Sequence, residues 1–285
     1  MRLFGPLMPE PSLWPSVETD LKNEQLTQLE TKPTLLFLGS SATEAAVDPA
    51  MLESLTDVIL PYNSALPFSS PLSNEVWLET VVFPTVAPDL LVIGVPVWPA
   101  HGSDPGALGQ GIRRAATEPV SVEGSGWSAL LGKKGVMADW NRLTQRERLK
   151  ASGLWTDLGH QTGYYDQSAG GRGGSFPPYG EPRMSQEQAD ALERIIVASR
   201  EREAEVILLL EPARFPGEVS SSDVLAYITW LEQRALDWDV TLWDSYSIEW
   251  DASLFADDVH FNRAGTEAFT RYLATLFNDR ASSPG

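Results

Sequence analysis

Near the C-terminus the chain reads Phe255-Ala256-Asp257-Asp258-Val259-His260-Phe261-Asn262-Arg263-Ala264-Gly265, and far upstream Gly39-Ser40-Ser41 closes an apolar run. Together these segments hold the residue types of acyl transfer. Serine is a poor nucleophile at neutral pH and needs an adjacent base, most often a histidine held in one tautomer by a carboxylate. The chain has three histidines, His101, His160 and His260. His260 combines a carboxylate three residues earlier with a loop ahead of a helix to hold it. Asp257, three residues earlier, lies one turn away, where it can face the ring nitrogen turned away from a serine. Asp258 points elsewhere and reads as a solvated or capping residue, and Asn262 is placed to cap the helix that follows. Each segment also has an ordinary reading. Asp-x-x-His serves as a surface turn feeding a helix, and Gly-Ser-Ser as a tight turn whose serine caps the next helix.

Chemistry requires that the two segments share one edge of a sheet, and the pattern of elements provides for that. Thr34 to Leu38 is a continuous apolar run ending at Gly39, which predicts a strand buried on both faces. Val58-Ile59-Leu60, Asp89 to Val95, Glu205 to Leu210 and Val240 to Trp243 predict four more strands. Helices are expected over Asp20 to Glu30, Asn74 to Phe83, Gln186 to Arg202, Ser222 to Leu236 and Ala264 to Phe277, each with apolar residues at helical spacing. Alternation of apolar strands with helices implies a parallel sheet covered on both faces, and such sheets bind ligands at the carboxyl ends of their strands. Ser41 follows the first strand, Asn63 the second, and Asp257 and His260 the last.

The length of 285 residues suits one α/β domain with an insertion. The domain is expected over 31–280, with the insertion at about 101–183, where glycines, tryptophans and basic residues interrupt the alternation. Residues 1–30 read as a Pro-rich extended arm and a short helix, and 281–285 as a flexible tail. With 21 basic against 39 acidic residues, the net charge of −18 argues against a nucleic-acid partner and an anionic membrane surface. No stretch is long enough to span a bilayer, and the Pro-rich start lacks the apolar core of a signal peptide. The compartment is therefore left open between cytoplasmic and, if a leader or anchor precedes this sequence, exported or cell-surface. There is no cysteine, which excludes disulfides and thiolate chemistry. Three scattered histidines offer no metal set, and Gly170 to Gly174 is no phosphate loop, lacking a preceding strand and a following Lys-Ser/Thr. No cofactor is expected.

Gly39-Ser40-Ser41, Asn63, Pro88 to Ile93 and Asp257 to Gly265 resemble the ordered blocks of the SGNH (GDSL-like) hydrolases. The likeness is to the bacterial branch whose first block reads Gly-Ser-Ser. Val47-Asp48-Pro49, Glu211-Pro212 and Leu254 to Asp257 fit that branch, and the resemblance runs over about residues 20–280 apart from the insertion. It implies a flavodoxin-like three-layer α/β/α sandwich acting on O-acyl esters, often of cell-surface or exported glycans. Carried over position by position, it makes Ser41 the nucleophile, His260 the base and Asp257 its orienter, with the Ser41 N–H as one oxyanion donor. The family's second-block glycine donor corresponds here to Ser64 or Ala65, and its third-block asparagine has no counterpart in Gly94-Val95-Pro96-Val97-Trp98. Asn63 is the available substitute.

Three further residues have readings near the same edge. Arg214 would bind an anionic acyl or sugar group or form a surface salt bridge. His101 would line the pocket, and Trp98 would stack a sugar or simply be a buried aromatic. The expected activity is a serine esterase or O-acyltransferase on a small-molecule or glycan ester. The alternative is a weak or inactive accessory protein that binds glycan in an acyl-transfer or export system. A nucleotide-binding flavodoxin-like domain is remoter, because no glycine-rich turn follows the first strand beyond Gly39.

Overall fold

The computed structural model describes residues 14–57, 60–97, 184–214 and 222–282, with Glu147, Lys150 and Gly159 as isolated positions. Five strands, β1 (Leu35–Leu38), β2 (Pro61–Asn63), β3 (Leu90–Val95), β4 (Glu205–Leu210) and β5 (Thr241–Asp244), form one parallel sheet in the order β2-β1-β3-β4-β5. The sheet folds around β1, β3 and the Val206 to Leu210 run of β4, which are apolar throughout, and period-two alternation sends neighbours to opposite faces. Leu36, Leu38, Leu91, Ile93, Val206 and Leu208 enter one core, and Leu35, Phe37, Val92, Ile207 and Leu209 the other.

Helices cover both faces. The first core packs α1 (Trp14–Gln28), α4 (Pro71–Trp77), α5 (Gln186–Arg200) and α6 (Ser222–Asp237). The second packs α3 (Pro49–Leu55) and α7 (Arg263–Ser282). Between β1 and α3 lies the short α2 (Ser41–Ala46). The result is a three-layer α/β/α sandwich with flavodoxin-like strand order, whose switch point falls between β1 and β3. None of the described helices is long and apolar enough to cross a membrane.

Several boundaries differ from the sequence expectation. Residues 14–19, expected in an extended arm, are the first turns of α1, and Pro15 is tolerated there because a first-turn N–H has no helical acceptor. Val17 to Lys22 are all buried, so this helix carries no amphipathic period. The second described strand is Pro61–Asn63; of the expected Val58-Ile59-Leu60, Val58 and Ile59 lie outside the described residues. Leu60 has φ of 52°, a left-handed turn, and Pro61 is admitted because β2 is an edge strand. After Trp77 the helix widens into a π-turn, Leu78–Val82, before a last turn at Phe83–Thr85. Residues 281 and 282, expected in the tail, end α7. The insertion apart from Glu147, Lys150 and Gly159, the Gly170 to Gly174 run, Trp98, His101 and His160 lie outside the described residues.

Candidate active site

The β1–α2 turn presents Ser41 as the first residue of α2, with Ser40 as N-cap accepting the Ala42 N–H. Ser41 is half-buried at the carboxyl edge of the sheet, next to the switch point. The other half of the site is built before α7. Phe255 and Phe261 bridge antiparallel, the Ala256 N–H donates to the His260 carbonyl (2.9 Å), and the Asn262 N–H to the Leu254 carbonyl (2.9 Å). Their rings lie 4.4 Å apart and join Trp250 and Phe269, which seat the loop on the core. Asn262 caps α7 by accepting the Gly265 N–H at 3.0 Å. A Cβ at position 265 would stand 2.1 Å from the Leu254 carbonyl oxygen, so glycine there lets the loop lie against the helix start.

Within this loop Asp257 divides its carboxylate. Oδ1 accepts the N–H groups of Val259 (2.9 Å) and His260 (2.8 Å), while Oδ2 lies 2.7 Å from His260 Nδ1. An ionised carboxylate only accepts, so Nδ1 carries the proton and Nε2 is left with its lone pair. Nε2 lies 2.8 Å from Ser41 Oγ, at hydrogen-bonding distance for the serine proton. Burial pushes the Asp257 carboxyl up, but the hydrogen bond and charge of His260, with the two backbone N–H groups, outweigh it and hold the acid below its ordinary range. Only 12% of the His260 side chain and 17% of Asp257 is exposed, so the pair is shielded but reachable.

The two halves meet because α7 is tied to the elements after Ser41. Thr266 Oγ1 donates to the Ala45 carbonyl at 2.6 Å, and Thr270 Oγ1 accepts the Asp48 N–H at 3.1 Å. Thus the helix that begins just after His260 is bonded to the end of α2 and the start of α3.

The expected oxyanion donors after β2 are otherwise engaged. The Ser64 N–H donates to the Phe37 carbonyl (2.8 Å), continuing the ladder, and the Leu66 N–H to the Gly39 carbonyl (3.0 Å). The Ala65 N–H is taken by Asn63 Oδ1 at 3.2 Å. The fully buried Asn63 amide donates to the carbonyls of Glu44 (3.1 Å) and Val47 (3.0 Å), closing the C-terminus of α2. Ser64 Oγ accepts the Trp77 indole N–H at 2.7 Å. A three-residue edge strand must find partners for the buried polar groups beyond its end, and these bonds supply them.

Arg214 reaches the site's edge as a tether. Its N–H donates to the Asp258 carbonyl at 3.0 Å, and its guanidinium lies 3.9 Å from the Asp258 carboxylate. Asp258, expected as a solvated or capping residue, is half of this link. Among the described residues no group of three or more His, Asp or Glu side chains is disposed to hold a metal ion. Sequence reasoning noticed Glu211 only as the neighbour of Pro212. It is buried, and it accepts hydrogen bonds from Ser40 and Thr43 on either side of Ser41.

No family model matches the chain, and no curated protein does. Among solved structures it is similar to a GDSL-like lipase from Bacteroides thetaiotaomicron VPI-5482, at 12% identity and a TM-score of 0.47, over 94% of this chain and 99% of that one. It is also similar to Axe2, an acetylxylan esterase from Geobacillus stearothermophilus, at 14% identity and a TM-score of 0.45, over 88% and 94%. Likeness this distant speaks to neither site nor activity.

Proposed function

We propose that the protein is a serine-dependent ester hydrolase or O-acyltransferase that works through an acyl-enzyme at Ser41. One observation carries the reading: the relay Asp257 Oδ2, His260 Nδ1, His260 Nε2 and Ser41 Oγ has contacts of 2.7 and 2.8 Å. In this reading Ser41 Oγ attacks the ester carbonyl while its proton passes to His260 Nε2. Asp257 holds the ring and stabilises the imidazolium. The same proton then goes to the leaving alkoxide, freeing the alcohol and leaving the acyl group on Ser41. Attack by water on the acyl-enzyme gives hydrolysis, and attack by a second alcohol gives transfer. The Ser41 N–H, first amide of α2, is the oxyanion donor. The motif resemblance points to acylated carbohydrate as the substrate class.

A second reading is favoured by the state of the amides after β2. With Ser64, Ala65 and Leu66 all paired internally, the oxyanion hole lacks the donor expected from that loop. Loss of one such donor costs ~2.7–4 kcal/mol of transition-state stabilisation, a hundredfold or more in rate. A chain so handicapped would serve as a weak or inactive glycan-binding accessory.

One experiment separates the two. Release of acetate from aryl acetates and acetylated sugars is measured for the wild type, Ser41→Ala and His260→Ala, with sugar binding followed by calorimetry. The enzyme reading expects turnover in the wild type alone. Absence of turnover, with binding that survives Ser41→Ala, favours the accessory reading and sinks the first.

A further inference from the structure

Glu211 is a buried acid of the described core that the relay of Asp257, His260 and Ser41 does not use. It stands just past the end of β4, is 4% exposed, and its own N–H is fixed to the Val95 carbonyl at 3.0 Å. From there its carboxylate crosses β3 at Gly94 to the turn that follows β1. Ser40 Oγ donates to its two oxygens at 3.2 and 3.3 Å, and Thr43 Oγ1 donates to Oε1. These partners lie 171 and 168 residues away in sequence, and they bracket Ser41. We propose that Glu211 is a positioning residue for the nucleophile, acting through the hydroxyls of Ser40 and Thr43. The proposal rests on the reading of Ser41 as the attacking group.

A hydroxyl has one proton, and a carboxylate only accepts. With its proton committed to Glu211, Ser40 Oγ keeps a lone pair for the Ala42 N–H, at 3.2 Å. The carboxylate therefore fixes the rotor that caps α2, and through it the turn in which Ser41 is the first residue. Thr43 pins the same turn from the other side. Burial leaves the Glu211 carboxyl above its ordinary value, although the Thr43 and Ser40 hydrogen bonds act against it. The crossing also needs room: a Cβ at Gly94 would stand 1.8 Å from Thr43 Oγ1 and 2.7 Å from Glu211 Oε1. β3 thus lacks a side chain at the one point where the clamp passes. Misplacement of a reacting group by about 1 Å costs on the order of a hundredfold in rate, so a clamp on both flanks of Ser41 bears on catalysis as well as on stability.

The test is a double-mutant cycle read at the nucleophile. The second-order rate of Ser41 phosphonylation by a fluorophosphonate, followed by intact mass, is measured for the wild type, Glu211→Gln, Thr43→Val and the double variant. KM for an aryl acetate and the thermal melt are recorded alongside. Each single variant is expected to slow labelling roughly tenfold or more, with KM little changed and a cooperative melt retained. The double is expected to be no slower than the worse single, because both changes cut one linkage. Thr43→Ser, which keeps the hydroxyl, is expected to label like the wild type. Labelling of Glu211→Gln at the wild-type rate, or a double variant slowed by the product of the singles, overturns the proposal. If Glu211→Gln does not fold, Thr43→Val against Thr43→Ser decides: equal rates overturn it, a slow valine variant supports it. A wild type that does not label at Ser41 is a different failure, since it removes the nucleophile reading and this proposal with it.

Discussion

Asp257 serves backbone and ring at once, one oxygen on two N–H groups and the other on His260 Nδ1. That economy sets a pH dependence whose sign follows from its depressed pKa. The stabilisation is fully present above the ordinary carboxyl value of 3.8 and is lost as pH falls through the folded-state value. Urea midpoints of the wild type and Asp257→Asn are therefore expected to differ at pH 6 and to converge as the pH drops below that value. A gap that stays constant with pH would contradict the assignment. The same substitution is expected to lower kcat by roughly 10⁴, because the ring is then held in the wrong tautomer. The Asp257–His260 pair stood out in the sequence because a three-residue spacing is a local fact. The amides after β2 did not, since their fate depends on the register of β1 against β2, which pairs Phe37 with Asn63. Glu211 was opaque for a similar reason: nothing near it in the chain announces partners across the sheet.

At the scale of elements, α7 is what joins the two halves of the site. Thr266 and Thr270 bond it to the chain that follows Ser41, and Asn262 begins it. Thr266→Val keeps the shape and leaves the Ala45 carbonyl without that donor, so it is expected to cost about 1–3 kcal/mol. Asn262→Ala is expected to cost about 1 kcal/mol through loss of the cap. Both are checked by denaturant melts, and values near zero would show that α7 is held by its apolar face alone. Strand and helix order was legible because apolar runs and helical spacing are properties of short windows. The exceptions have physical causes. Apolarity drew the expected second strand to Val58 to Leu60 and passed over Pro61–Asn63, which pairs with β1 and where Tyr62 and Asn63 are wholly buried. The start of α1 was hidden because Val17 to Lys22 are buried around the whole helix and leave no period to read.

Over the whole molecule, the sandwich brings three remote stretches to one rim: the turn after β1, the residue after β4 and the loop before α7. A fourth contact secures the rear of the nucleophile turn. Lys22 of α1, wholly buried, lies 3.0 Å from Glu44 of α2 and also donates to the Ala65 carbonyl. Removing one partner of a buried pair strands the other charge, so Lys22→Met is expected to lower stability by about 3–5 kcal/mol. A chemical melt measures it, and a loss under about 1 kcal/mol, the range of exposed pairs, would place Glu44 in contact with water. The claim on which the account turns is that an imidazole draws the Ser41 proton and so lets the serine take an acyl group. Its most direct measurement is peptide-mapping mass spectrometry of the protein quenched rapidly after mixing with p-nitrophenyl acetate. The account predicts one acetyl group, carried on Ser41 and absent in His260→Ala. Acetylation scattered over lysines, or equal at Ser41 with and without His260, would contradict it.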